Sequence, residues 1–274
     1  MRHFQFLHFG FFTLVLAIVL TGAPAMAAET VLLHAAGSLR AALNEVAASY
    51  EKATGVKVIA KYGASGTLRE EIEHGAKAEV FASANMEHPE VLAKGGKSGP
   101  VVLFARNQLC ALTKPGLTVT PANLLDRMLD PQVKLGTSTP KADPSGDYAW
   151  EVFRKADAIR QGAFATLSHK ALQLTGAPTS ATAPADRSIY GMLVGQGRAD
   201  LFLTYCTNAL AAVKENPGQQ MASLPDNLAV GADYGLTVMN ASSSVAYRFA
   251  MYVLSPDAQR ILANHGFAAP GALK

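Results

Sequence analysis

The chain has 274 residues, 24 Lys and Arg against 21 Asp and Glu, and an apolar fraction of 49%. A formal charge of only +3 excludes the concentrated positive surface that nucleic acid or an anionic membrane demands. The length supports one large or two moderate domains with cores of their own.

In chain order, the first segment reads as a secretory leader over residues 1–27. Arg2 supplies positive charge, Phe11 to Leu20 is an apolar core short for a permanent span, and Ala25-Met26-Ala27 gives the small-x-small cleavage pattern. The expected mature chain begins at Ala28, with 247 residues (274 − 27) and a charge of +2, because the leader carries one Arg and no acid. No second apolar run approaches spanning length, so a soluble exported protein is expected.

Thr30 to Ala36 is β-branched and apolar, a buried strand. After Gly37-Ser38, the recurrence of Leu39, Leu43, Val46, Ala47 and Tyr50 predicts a helix stopped by Gly55. Val56 to Gly63 is a second strand. Ala64-Ser65-Gly66 leads into a helix with Thr67 and Glu70 in capping-box spacing and Gly75 at its end. Ala78 to Asn85 is a third strand. This β-α-β-α-β rhythm predicts a mostly parallel sheet flanked by helices.

Pro100 to Lys114 is a long extended segment suited to crossing between domains. A second cycle follows: a helix capped at Thr120-Pro121, a strand at Val133 to Ser138, a helix opened by Ser145-Gly146, a strand at Arg198 to Tyr205 and a helix from Thr207. Tyr234 to Met239 can return to the first domain, and Ser255-Pro256 caps a closing helix. The expected organisation is two α/β lobes, the second inserted into the first: residues 28–106 and 231–274 form lobe I, and residues 107–230 form lobe II. Cys110 and Cys206 both fall in strand-like segments. A bridge and two buried free thiols are equally compatible with the sequence.

The serines carry the chemical signal. Ser38 and Ser65 each lie between a strand's carboxyl end and a helix's amino end, and Ser145 lies at a helix start in the second half. Parallel α/β sheets bind ligands outside the carboxyl ends of their strands, where helix N-termini present free amides and positive potential. Hydroxyls add donors, and Gly37, Gly66 and Gly146 let the backbone come close. Each serine alone is explained by helix capping; three at corresponding junctions point to an anion site. Arg187, at an apparent strand-to-helix junction, either aims a guanidinium at the same cleft or forms a surface salt bridge. Asp143 either caps its turn or approaches the ligand. Arg198 and the core-strand His34 read as structural. Gly96-Lys97-Ser98 lacks the rest of a P-loop, no histidines share metal-ligand spacing, and no serine sits in a nucleophile elbow. A secreted serine hydrolase is therefore the weak rival, lacking a His and acid in motif context.

AAGSL (Ala35 to Leu39), YGASGTL (Tyr62 to Leu68), GAKAEVFASAN (Gly75 to Asn85), DPSGDYA (Asp143 to Ala149), DLFLTY (Asp200 to Tyr205) and YVLSPDAQRILANHGF (Tyr252 to Phe267) occur in that order. Together they resemble the periplasmic molybdate-binding proteins of ABC transporters, across essentially the whole mature chain. The resemblance implies a type II periplasmic binding fold, two α/β lobes joined by a two-strand hinge. It further implies a monomeric, non-enzymatic periplasmic carrier without cofactor or free metal ion, which delivers molybdate or tungstate to a membrane permease. By position in the family motifs, the oxyanion's donors are the hydroxyls of Ser38, Ser65 and Tyr205, with backbone amides at Ser145 and Arg187. Small or apolar residues are usual at the last two places, and Asp143 resembles a branch that brings carboxylates to the metal. Sulfate, thiosulfate and chromate stay open as alternative ligands on the same scaffold.

Overall fold

The first strand, β1 (Thr30–Ala36), is buried along nearly its whole length, as its run of Val, Leu and Ala requires. The computed structural model describes residues 1, 29–182, 184 and 187–271. The leader expected over residues 1–27 lies outside them, Met1 apart. Beyond β1, a single 3₁₀ turn (Gly37–Leu39) passes into α1 (Arg40–Thr54), which buries Ala42, Leu43, Val46 and Tyr50 and ends at Gly55 in the left-handed region. There follow β2 (Lys57–Gly63), α2 (Ser65–Glu73), β3 (Val80–Ser83) and α3 (Glu87–Lys94). β1 lies between β2 and β3, parallel to both.

The capping box expected at Thr67 and Glu70 does not form. α2 starts two residues earlier, at Ser65, and its N-cap is Ala64, which bonds through its backbone alone. The reason is tertiary: Ser65 and Gly66 are buried against other parts of the chain, and that packing sets the helix start.

β4 (Val102–Thr113) is the long crossing strand. After it come α4 (Leu124–Leu129), β5 (Leu135–Ser138), α5 (Pro144–Ile159), α6 (Ala163–Lys170), β6 (Leu172–Thr175), α7 (Ile189–Gly195), β7 (Leu201–Tyr205), α8 (Cys206–Glu215) and β8 (Gln220–Ser223). β9 (Gly231–Val238), α9 (Ser244–Val253) and α10 (Pro256–Asn264) close the chain, with the Ser255 hydroxyl capping α10 as expected. α4 starts later than Thr120-Pro121 suggested: Asn123 is its N-cap, and its side-chain oxygen turns back to accept from the Thr120 amide at 2.8 Å.

Among the described residues, nine strands form one sheet in the order β2-β1-β3-β9-β4-β7-β5-β6, with β8 also on β4. The first part of β4 pairs with β9, from Val102 opposite Leu236 to Gln108 opposite Gly231. Its second part pairs with β7 and β8, from Leu109 onward. Two antiparallel strands therefore connect two parallel halves of the sheet. Tyr205 on β7 packs edge-to-face on Tyr148 of α5 and Tyr234 of β9, and Tyr234 continues to Phe104 and Phe267. This aromatic row fills the space behind the crossing strands. Cys110 and Cys206 form a disulfide with Cα atoms 4.8 Å apart, inside the range such a bond needs. Cys206 opens α8 rather than lying in a strand. Among the described residues, no helix is long and apolar enough to cross a membrane.

Candidate functional site

The carboxyl ends of the parallel strands in both halves of the sheet face one cleft of about 940 Å³. That lies at the upper end of the roughly 300–1,000 Å³ usual for small-molecule sites, so more than one layer of ligand and water can occupy it. Ser38, Ser65, Arg187 and Tyr205 all line it, from four different strand-to-helix junctions.

Ser38 lies in the turn after β1, and its hydroxyl is 2.9 Å from that of Tyr234. Tyr234 also accepts from the Asn107 side-chain amide at 3.3 Å, and the same amide donates to Thr207 at 2.9 Å. A polar chain thus runs along the floor where β4 and β9 cross between the halves. Ser65 is buried at the start of α2, and its oxygen accepts from the Ala84 amide at 3.1 Å. The Tyr205 hydroxyl donates to the carbonyl of the same Ala84 at 3.3 Å. One residue of the first half, Ala84, therefore ties a hydroxyl from each side through its own amide and carbonyl. Burial pushes the Tyr205 and Tyr234 hydroxyls well above the usual tyrosine range, which keeps both protonated; the Tyr205 hydrogen, held by Ala84 in this arrangement, reaches a ligand only by exchanging that bond.

The two walls also touch directly. The Gly66 amide at the α2 N-terminus donates to the Ala142 carbonyl at 2.9 Å. A Cβ at Gly66 would lie 2.2 Å from the Lys141 carbonyl oxygen, so glycine alone permits the approach. Lys141 stands in the left-handed region, with φ 67°, at this turn.

Ser145 is placed differently from the others. It lies in the first turn of α5, fully buried, and does not line the cleft. Its amide donates to the Asp143 carboxylate at 3.0 Å, and its hydroxyl has no partner among the described residues. Asp143, the N-cap of α5, lines the cleft itself. Arg187 lies at the mouth, half exposed, and its guanidinium pairs with Glu215. Arg198 is exposed and His34 is buried in β1, where desolvation lowers its pKa.

Sequence reasoning missed further wall residues. Thr175 ends β6 and Tyr190 lies in the first turn of α7; both line the cleft. Thr175 shares a 2.8 Å hydrogen bond with Ser138, and the Tyr190 hydroxyl bonds Thr204, Ser138 and Thr175. The signal was available in Leu172 to Gly176, a strand that ends in a hydroxyl followed by glycine. The inner wall is thus rich in neutral hydroxyl donors. At the mouth, Arg40, Lys61, Arg187 and Lys214 outnumber Glu71 and Glu215, a balance that draws anions inward. Neither Ser38 nor Ser65 bonds a histidine among the described residues, and no group of three or more His, Cys, Asp or Glu there is suited to a metal ion.

Comparison with known proteins agrees with this geometry. The family described as bacterial extracellular solute-binding protein matches residues 31–268. An uncharacterized protein of Pasteurella multocida (strain Pm70) is 34% identical over 210 residues, covering 76% of this chain and 87% of its own length. The molybdate-binding protein ModA of Escherichia coli (strain K12) is 26% identical over 243 residues, 85% of this chain and 86% of that one. Among solved structures, the periplasmic molybdate-binding protein of Azotobacter vinelandii has a TM-score of 0.71 at 21% identity, over 88% of this chain and 99% of that one. The sulfate-binding protein SubI of Mycobacterium tuberculosis H37Rv has a TM-score of 0.73 at 19% identity, over 89% and 88%. These two likenesses are of fold, and the fold is the expected type II periplasmic binding architecture. The matching family, ModA and the Azotobacter protein are binding proteins, not enzymes, which sets the hydrolase reading aside. With its cleft built to hold rather than to react, this chain belongs to the bacterial extracellular solute-binding proteins.

Proposed function

We propose that the protein captures molybdate or tungstate between two lobes in the periplasm and delivers it, as a monomer, to an ABC importer. The observation that carries this reading is the convergence of the Ser38, Ser65 and Tyr205 hydroxyls, from both halves of the sheet, on one cleft. Neutral donors desolvate a dianion without a fixed countercharge, so the anion is held firmly and still released. ModA of E. coli, a sequence relative over most of both chains, supports molybdate as the first choice.

In this reading residues 28–106 and 231–274 form lobe I and residues 107–230 form lobe II, with residues 1–27 removed on export. Arg187, resting on Glu215, supplies a cation at the mouth, and the Ser145 amide acts on the ligand through Asp143. Bound anion satisfies donors of both lobes at once and so shifts the population toward the closed form that a permease recognises.

Calorimetric titration of ligand-stripped protein with molybdate, tungstate, sulfate, thiosulfate and chromate tests the reading. Molybdate and tungstate are expected to bind most tightly. Ser38→Ala is expected to weaken them about tenfold or more, because a hydrogen bond to a charged partner contributes roughly 1.5–3 kcal/mol. Sulfate binding more tightly than molybdate would overturn the choice of ligand.

A further inference from the structure

Asp143 puts a carboxylate in the wall of a cleft otherwise set with neutral donors. One of its oxygens accepts from the Ser145 amide at 3.0 Å, and the Ser138 hydroxyl bonds the carboxyl as well. The carboxylate therefore occupies the α5 N-terminus, the place where an anionic ligand would take the same amide. Its side chain packs on Gly176, the residue after β6, where a Cβ would lie 2.6 Å from the Asp143 Cβ and 3.3 Å from its Oδ2, so only glycine leaves the carboxylate this place in the wall.

The groups around it leave its charge unanswered. Asp147 on α5 repels it, and Tyr190 of α7, Tyr205 of β7 and Tyr234 of β9 interact with it as neutral phenols. Thr175 of β6 and the Ser65-Gly66 start of α2 bring no charge to the cleft. Lys141, on the same turn, gives its amide to Asp147 and its charge acts on Asp147 rather than on Asp143, and Arg187 at the mouth is taken by Glu215. Asp143 forms no ion pair among the described residues.

Two bare negative charges in one desolvated site repel too strongly for both to persist; one must gain a proton. We infer that Asp143 is a selectivity residue, and that the cleft holds its anion together with one proton shared between the Asp143 carboxyl and a ligand oxygen. This rests on the oxyanion reading above and specifies how the cleft chooses among such ions. Carboxylate, proton and dianion combine into a hydrogen-bonded pair; no bond to the central atom forms or breaks. The proton comes from solvent when the ligand arrives bare, or with the ligand when it is a hydrogen oxyanion. Anions able to accept or bring that proton are retained over those that do neither. Burial already pushes the Asp143 carboxyl up to about 6, so uptake falls in the neutral range.

The test is titration of the full mature protein with molybdate at pH 7.5 in two buffers of different ionisation enthalpy, repeated with Asp143→Asn. The wild type is expected to take up close to one proton per anion, and its affinity to fall about tenfold per pH unit above neutrality. Asp143→Asn, which fixes a neutral donor in place, is expected to bind at least as tightly with no uptake and a flat pH profile. Molybdate binding to the wild type without proton uptake overturns the inference and leaves the oxyanion reading standing, as does uptake that persists in Asp143→Asn. Absence of binding by any oxyanion of the panel overturns both. The wild-type measurement decides the matter even if the variant folds poorly.

Discussion

His88, on the buried side of α3, has a pKa lowered to about 4 by desolvation first and by the charge of Arg69 second. Its folded pKa lies below the unfolded value of 6.5, so the native state resists a proton that the unfolded chain accepts. Stability tied to this group is whole above pH 6.5 and is lost as pH falls toward 4. Between pH 7 and pH 5 the loss is about 2 kcal/mol, at roughly 1.36 kcal/mol per pKa unit. Asp143 contributes the opposite slope, because its raised pKa relieves the native state on acidification through 6. The two therefore offset each other in the wild type. Urea unfolding at both pH values should find that His88→Leu loses about 2 kcal/mol less than the wild type over this interval. An unchanged difference would mean that His88 is solvated in the native protein. At this scale the sequence was legible where a residue's position follows from its junction, as for Ser38 and Ser65, which line the cleft. It was not legible for Ser145 and Asp143, adjacent candidates whose division of labour depends on which side chain turns outward from the α5 cap.

The disulfide ties Cys110 of β4 to Cys206 at the start of α8, just past β7, and the two cysteines lie 96 residues apart in sequence. Closing a loop of that length removes much entropy from the unfolded chain. Cys110→Ser with Cys206→Ser is expected to lower unfolding free energy by about 3–4 kcal/mol, with the bridge's absence checked by thiol counting. A melting temperature that does not move would show that the crossing strands suffice. Elements with strong periodicity were readable from sequence: β1, the α1 stripe and the long β4 fell where apolar spacing put them. The four-residue strands β6 and β8, mostly exposed, lack the apolar runs that mark a strand. The start of α2 was misplaced for another reason. Thr67 and Glu70 have capping spacing, but contact with Lys141 and Ala142 fixes the helix at Ser65, and no local pattern encodes that neighbour.

For the molecule as a whole, the alternation of strands and helices predicted mostly parallel strands flanked by helices, and the order β2-β1-β3-β9-β4-β7-β5-β6 sets the parallel groups β2-β1-β3 and β7-β5-β6 on either side of the antiparallel pair β9-β4. What the pattern left open was how deeply the halves share a sheet, because β4 pairs on both sides along its length and switches partners near Leu109. Gln108 and Gly231 face each other across that ladder. The long excursion between them thus departs and returns at neighbouring points, and its disulfide is internal to it. It has the geometry of a guest stitched into a host at one seam. Excising residues 109–230 and joining the cut ends through a short reverse turn should leave a cooperatively melting host, monitored by near-ultraviolet circular dichroism. A molten or insoluble product would mean that host and guest cannot be parted.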